Sequence, residues 1–485
     1  MSIANLNPTR VWKHFESLTQ IPRPSKKEGK AVLFLEKYGK SLGLETIKDE
    51  LGNIIIRKPA TKGMENRAGI ILQAHMDMVP QKNSDKVHDF EKDPIEPRIV
   101  GEWVYATGTT LGADNGMGVA VAMAVLEAKD LVHGPVEVLI TIDEETGMTG
   151  ARGLKHGLLK GDILINLDSE DEGELYVGCA GGLDATAVFK YKTEPVPADY
   201  VGMNLAVTGM KGGHSGMDII LGRGNSNKAL VRLLLPLMEK AGAMIVSFEG
   251  GTLRNAIPRE SFATIALPVS KVATAKKIVN KHFKEMKVEL AAHEPTLNIT
   301  LTDCKKPARA IDADVALKAV KAIYACPNGV ERMSDAVPGL VETSNNLAMV
   351  KSGNGKIEVN CLMRSSVDSA KDIYSTSLRS VFELAGAEVR LTGGYSGWQP
   401  NMNSAILHTM KNVYKKLYGN EPEVKAIHAG LECGILGGTY PNWDMISCGP
   451  TIRSPHSPDE KVNIPSVEKW WNYVVEILKE APVKK

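Results

Sequence analysis

Ala68-Gly69-Ile70-Ile71-Leu72-Gln73-Ala74-His75-Met76-Asp77 is a short apolar run that stops at an imidazole and a carboxylate. At this length and composition it reads as a buried strand, not an independent helix. Asn53 to Arg57, Val136 to Ile142 and Asp162 to Leu167 are runs of the same kind. Helix-like segments separate the later ones, and strands alternating with helices imply an α/β domain with a mainly parallel central sheet. In open sheets of that class the ligand crevice lies at the carboxyl edge of the strands. The polar residues fall at that edge: His75 and Asp77 after the first run, Asp143, Glu144 and Glu145 after Val136 to Ile142, and Asp168 after the run from Asp162.

On the amino-terminal side, Val11, Trp12, Phe15 and Leu18 stand at helical spacing within Pro8 to Leu18. A second helix is expected over Ser25 to Leu42, with Ser25 as its N-cap. On the carboxyl-terminal side the texture changes at Cys179-Ala180-Gly181-Gly182, where a second domain is expected to start. Amphipathic helices are predicted at Ser226 to Lys240 and Val272 to Lys284. A further helix is predicted over Ala310 to Cys326, and a strand over Ile357 to Val367 followed by a helix over Asp372 to Ala385. Gly393 and Gly394 punctuate the chain again, and a last helix over Val467 to Leu478 is expected to return to the first domain. The reading is a catalytic domain split between residues 1–181 and 397–485, with an inserted α+β domain over 182–396. That insertion, roughly 210 residues, is long enough for two packed lobes. No strict repeat and no low-complexity stretch stands in it.

The whole chain supports this division. At 485 residues it exceeds one ordinary domain. With 43% hydrophobic and 24% charged residues it is neither disordered nor fibrous. Lysines and arginines against acids give 58 − 57 = +1, so bulk charge attracts neither nucleic acid nor an anionic membrane. The six cysteines are scattered singly, which fits a reducing compartment. The first residues lack a basic segment followed by an apolar one, as a signal peptide needs. The most continuous apolar run, Met117 to Leu126, is far shorter than the roughly 20 residues of a membrane span. A cytoplasmic, soluble protein is the expectation.

Four segments carry chemistry. His75-Met76-Asp77 suits a ligating imidazole that passes its other ring N–H to a carboxylate, although a plain polar strand end has the same pattern. Gly108-Thr109-Thr110-Leu111-Gly112-Ala113-Asp114-Asn115-Gly116-Met117-Gly118 opens an apolar helix but lacks both phosphate-binding glycine fingerprints, so Asp114 is either an N-cap or a ligand. Asp143-Glu144-Glu145 crowds three carboxylates whose repulsion in a cleft needs cations to offset it, unless the turn is solvated. His456 stands in a loop bounded by Pro455 and Pro458. Two histidines with several carboxylates suit a divalent first-row metal, zinc above all. Most of the other histidines, among them His14, His88, His133, His156, His282, His293 and His408, read as ordinary surface or half-buried residues.

The order His75-Met-Asp77, Gly112-Ala-Asp114-Asn-Gly116, Asp143-Glu144-Glu145, Leu167-Asp168 and Pro455-His456-Ser457 resembles the co-catalytic di-zinc peptidase family that includes carboxypeptidase G, peptidase T and carnosinases. Gly212-Gly213-His214-Ser215-Gly216, Gly250-Gly251-Thr252-Leu253-Arg254-Asn255-Ala256-Ile257-Pro258-Arg259-Glu260 and His428-Ala429-Gly430-Leu431-Glu432-Cys433-Gly434 are similar to the bacterial aminoacyl-histidine (Xaa-His) dipeptidase branch of that family. The resemblance implies two zinc ions, with cobalt or manganese as substitutes, and Asp114 bridging them. His75 and Asp168 would complete one ion, and Glu145 and His456 the other. Asp77 would orient His75, and Glu144 would be the general base. It further implies a cis peptide after Asp114, and substrate contacts from His214, Asn255, Arg364 and Gly430. The implied activity is hydrolysis of unblocked dipeptides, β-alanyl-histidine included, by a homodimer whose inserted domain acts as a lid. An N-acyl amino acid amidohydrolase (aminoacylase or deacetylase) of the same fold is the alternative.

Overall fold

The computed structural model describes residues 2–484. Eight strands form the first sheet: β1 (Glu45–Lys48), β2 (Ile54–Lys58), β3 (Ile70–His75), β4 (Val136–Thr141), β5 (Ile163–Asn166), β6 (Glu174–Cys179), β7 (Glu423–Ile427) and β8 (Asp444–Ser447). Their order is β1-β2-β4-β3-β5-β8-β6-β7. The central four, β4, β3, β5 and β8, run parallel. The pairs β1/β2, β2/β4 and β8/β6 are antiparallel. Every residue of β3, β4 and β5 is buried, as a parallel sheet covered on both faces requires.

The helix Ala113–Glu127 is apolar all round, and all but two of its residues are buried. It shares one core with Trp12 and Phe15 of the helix Thr9–Thr19, and with Trp470, Val474 and Ile477 of the helix Ile464–Lys479. Asn463 caps that last helix by accepting the Ser466 N–H at 3.0 Å, and Pro465 occupies its first turn. Replacing Trp470 or Phe15 by Ala would cost about 3–5 kcal/mol through the cavity left behind.

The expected cap at Ser25 is corrected. The helix starts at Gly29, after Glu28, and Ser25 Oγ instead donates to Asp77 Oδ2 at 2.8 Å. Lys26, at φ 67°, turns the chain between the two.

A small sheet fixes the loop of His456. Ile452–Arg453 pairs with Lys461–Asn463, which pairs with Trp103–Ala106, which pairs with Pro97–Val100. Between the first two strands, Ser454 and His456 both adopt positive φ, 54° and 58°, a conformation few non-glycine residues take without support from their surroundings.

The chain divides into two compact units. The first comprises the residues up to Cys179, Trp398–Ala426 and Leu431 onward. The second comprises Ala180–Gly397 and Ile427–Gly430, so four residues inside the expected second part of the catalytic domain group with the insertion. This second unit has a nine-stranded antiparallel sheet. The sheet narrows to two residue pairs, Glu249 with Lys351 and Gly250 with Val350, between the strands Met244–Gly250 and Val341–Gly353. Its helix Ser226–Ala241 begins where Asn225 accepts the N–H groups of Asn227 and Lys228, and ends at Gly242 in the left-handed region. The predicted helices at 310–326 and 372–385 are found as Ala313–Ala325, after a short strand Arg309–Ile311, and as Asp368–Leu384. All six cysteines are free. Among the described residues no helix is long and apolar enough to cross a membrane.

Candidate active site

β3 delivers His75 at its carboxyl end, with 1% of its surface exposed. His75 Nε2 lies 3.2 Å from Asp114 Oδ1, 3.4 Å from Asp168 Oδ1 and 3.9 Å from Glu144 Oε2. Its Nδ1 lies 3.3 Å from Asp77 Oδ1. The other oxygen of Asp114 faces a second imidazole: His456 Nε2 is 3.3 Å from Asp114 Oδ2 and 2.9 Å from Glu145 Oε2. One carboxylate thus stands between two histidines supplied by distant parts of the chain. The seven residues singled out at strand ends, at the start of the apolar helix and in the proline-bounded loop, His75, Asp77, Asp114, Glu144, Glu145, Asp168 and His456, belong to this one cluster.

Local structure explains the placement. Gly112 in the left-handed region (φ 70°) turns the chain into the helix Ala113–Glu127, and Asp114 and Asn115, joined by a cis peptide, depart from helical geometry. Asn115 Nδ2 donates to Leu167 O at 2.9 Å and to Asp168 Oδ1, tying the Asp114 segment to the end of β5. After β4, Asp143 at φ 50° starts the single turn Glu144–Gly147. Asp77 accepts the N–H of Glu144 at 3.0 Å and of Glu145 at 3.3 Å, which aims both glutamates at the imidazoles. Asp143 is turned away, its carboxylate accepting from the hydroxyls of Thr146 and Thr149.

Among the described residues, two groups bring three ligand atoms within 4.8 Å of one another: His75, Asp114 and Glu145, and separately Glu28, Asp77 and Asp143. The second group is already satisfied. Its oxygens accept N–H groups of Lys26, Asp143, Glu144 and Glu145 and hydroxyls of Ser25, Thr146 and Thr149. The first group is not satisfied, because Glu145 Oε1 is buried without a hydrogen-bond partner. Mixed imidazole and carboxylate donors with a buried oxygen left over are what a divalent ion of the zinc type would complete.

The crowding is visible in the proton affinities. Burial opposes a proton on His75, but Asp168, Asp114 and Asp77 hold its pKa well above the ordinary imidazole value. Hydrogen bonds to Asp114 and Glu145 push His456 up to about 11. Against burial, the two imidazoles keep Asp114 well below the carboxylate range. Burial pushes Glu144 well above that range, with Asp168, Glu145 and Glu432 adding to the effect, and takes Asp168 up to about 6.

The expected substrate residues all fall in the second unit. His214 Nδ1 accepts the N–H groups of Gly216 and Met217 at 3.2 and 3.0 Å, so the ring proton sits on Nε2. Burial, then the charge of Arg364, lowers its pKa and keeps the ring neutral. Ser215 N–H donates to Asn255 O at 2.8 Å, which joins the loops of His214 and Asn255. Arg364, 6% exposed, donates to Ser215 Oγ at 3.3 Å and Tyr395 Oη at 3.2 Å. A Cβ on Gly430 would sit 3.0 Å from the same Tyr395 Oη. Asn255 itself is exposed.

Several buried charged residues of the first unit escaped the sequence reading, among them Arg23, Glu432 and Glu460. These three bond to backbone groups or to neutral side chains and not to one another, so no spacing of like or opposite charges announces them. Proline on both sides of Arg23 was the one available signal.

The model for peptidase family M20/M25/M40 matches residues 71–480. The cytosol non-specific dipeptidase of Escherichia coli (strain K12) is 48% identical over 482 residues, covering 99% of each chain. The crystal structure of aminoacylhistidine dipeptidase from Vibrio alginolyticus superimposes with a TM-score of 0.94 at 46% identity, covering 100% of this chain and 99% of that one. The aminopeptidase PepT of Bacillus cereus, at 18% identity, 98% and 99% coverage and a TM-score of 0.58, shares the fold. With a family model spanning the strand that bears His75 and the loop that bears His456, the chain belongs to peptidase family M20/M25/M40.

Proposed function

We propose that the protein is a metal-dependent dipeptidase that hydrolyses unblocked dipeptides, those with histidine in second position included, with two zinc ions per chain. The observation that carries this reading is Asp114, whose two oxygens face the imidazoles of His75 and His456 at 3.2 and 3.3 Å. A carboxylate so placed suits a bridge between two ions, one completed by His75 and Asp168 and the other by Glu145 and His456. When bound, such a pair polarises the scissile carbonyl and lowers the pKa of the attacking water.

The rest falls to the chain's own residues. Glu144 takes a proton from the attacking water and delivers it to the leaving amine nitrogen, and its raised pKa suits a carboxyl group that must act as base and then as acid. Asp77 holds the N–H of Glu144 and stands beside His75 Nδ1, which supports an orienting role. In the second unit, the neutral Nε2–H of His214 is a donor for the oxyanion. The guanidinium of Arg364 suits the substrate's terminal carboxylate, with Asn255 and the backbone of Gly430 as further contacts. Segment 182–396 is proposed as a lid domain, the assembly as a homodimer and the location as cytoplasmic. The two full-length relatives, one called a cytosol non-specific dipeptidase and the other an aminoacylhistidine dipeptidase, support the substrate class.

The test is a panel of dipeptides and N-acetyl amino acids offered to protein stripped of metal and reconstituted with zinc, cobalt or manganese. Dipeptide cleavage restored by metal, with N-acetyl amino acids left intact, is the expected result. Preference for the N-acetyl compounds would favour the amidohydrolase alternative. Glu144→Ala should lower kcat by at least about a hundredfold while two ions remain bound, and unchanged kcat would remove Glu144 from its role.

A further inference from the structure

Glu460 follows His456 in the same loop and is 2% exposed. Its carboxylate accepts four consecutive backbone N–H groups from the turn that leads into Asp114. Oε2 takes those of Leu111 at 2.7 Å and Gly112 at 3.0 Å, and Oε1 takes those of Ala113 at 2.7 Å and Asp114 at 3.2 Å. Successive amides converging on one point form an anion nest, and here the anion is part of the chain. The turn is gripped from its other side by Arg23, also 2% exposed, which donates to the carbonyl oxygens of Met76 (3.0 Å), Asp77 (3.1 Å) and Gly112 (2.6 Å). A Cβ on Gly112 or Gly116 would come within 2.6 Å of Arg23 Nη2, so the turn is moulded to the guanidinium. The segments of His75, Asp114 and His456 are thereby joined by two buried side chains, a carboxyl group and a guanidinium, that bond to backbone.

We propose that Glu460 is a positioning residue for the metal centre. It sets the separation of Asp114 from His456, so the ion assigned to Asp114, Glu145 and His456 depends on it far more than the ion assigned to His75 and Asp168. This rests on the ligand assignment proposed above. Without this carboxyl group, four buried amides lose their acceptor and the His456 loop, with two residues at positive φ, loses its tether to the turn.

The test is calorimetric titration of zinc into stripped wild-type protein, Glu460→Gln and Glu460→Asp, with melting of each metal-free form. Glu294→Gln is the control. Glu294 is equally buried and accepts the N–H groups of Lys211 and Gly224 at 2.8 Å each, but in the second unit. Wild type should bind two ions. Glu460→Gln should bind one as wild type does and the other roughly 10- to 100-fold more weakly, whereas Glu294→Gln should bind both normally. Two ions at wild-type affinity in Glu460→Gln would overturn the proposal and leave the ligand assignment standing. Fewer than two in wild type would remove the ligand assignment and the proposal with it. If Glu460→Gln does not fold, Glu460→Asp decides on the same criterion, and failure of both to fold as metal-free protein would reduce Glu460 to a structural prop.

Discussion

Glu432 illustrates how a single side chain can be central to the site and silent in the sequence. It is fully buried, and its Oε2 accepts from Gln73 Nε2 at 2.5 Å and Thr141 Oγ1 at 2.7 Å, on the two strands that end at His75 and before Asp143. Gln73 Oε1 in turn accepts from Asn166 Nδ2 on β5 at 2.5 Å. Burial pushes the carboxyl up to about 8, so at pH 7 it is mostly the neutral acid. Glu432→Gln should therefore change the unfolding free energy by less than about 1 kcal/mol at pH 7, while Glu432→Ala strands two buried donors and should cost about 1–3 kcal/mol. Equal losses in denaturant melts would show that charge, not hydrogen bonding, is what matters there. Of the clustered histidines and acids, His75, Asp77, Glu144, Glu145 and Asp168 stood out because each closely follows an apolar run, Asp114 because it opens an apolar helix, and His456 because it stands in a proline-bounded loop. Glu432, Glu460 and Arg23 did not, since a partner that is a backbone amide, a carbonyl or a neutral side chain leaves no pattern of charges to read.

At the scale of elements, three of the four central strands, β3, β4 and β5, were readable because a strand buried on both faces must be apolar throughout, whereas the short β8 was not read. The strands β1, β6 and β7 were not resolved with them: β1 and β7 contain no fully buried residue and β6 has half-buried positions near its start, so none is buried throughout as β3, β4 and β5 are. The misplaced cap at Ser25 has a similar origin, because its hydroxyl serves a distant carboxylate instead of the helix that follows it. Gathering strand ends at one edge also has a cost. Asp168, with a pKa raised to about 6, and Glu432, raised to about 8, bind protons more tightly folded than unfolded. Such groups stabilise the fold below their unfolded pKa, and that contribution is lost as pH rises through the folded value. Metal-free protein should accordingly lose melting temperature between about pH 5 and 8, and zinc-loaded protein should lose much less because the ions offset the carboxylates. Parallel melting curves for the two forms across that range would contradict this.

At the scale of the whole molecule, each unit has its own hydrophobic core, and all six tryptophans, Trp12, Trp103, Trp398, Trp443, Trp470 and Trp471, lie in the first. Tryptophan fluorescence therefore reports that unit alone, whereas far-ultraviolet circular dichroism reports both. Zinc at about a hundredfold above its Kd should stabilise the fluorescent transition by roughly 3 kcal/mol and leave a second dichroic transition where it was. A fluorescence midpoint indifferent to zinc would mean that the ions are held elsewhere. The insertion was legible from glycine-rich breaks at both ends, but the brief passage of residues 427–430 through the second unit was not, because four residues carry no shift of composition. The divided first unit also imposes an order on biosynthesis. A growing chain displays His75, Asp114, Glu145 and Asp168 early, then completes the entire second unit before His456 and Glu460 exist. If the ligand set proposed above holds, hydrolytic competence is thus withheld from the nascent polypeptide until the last stretch of the chain has been made.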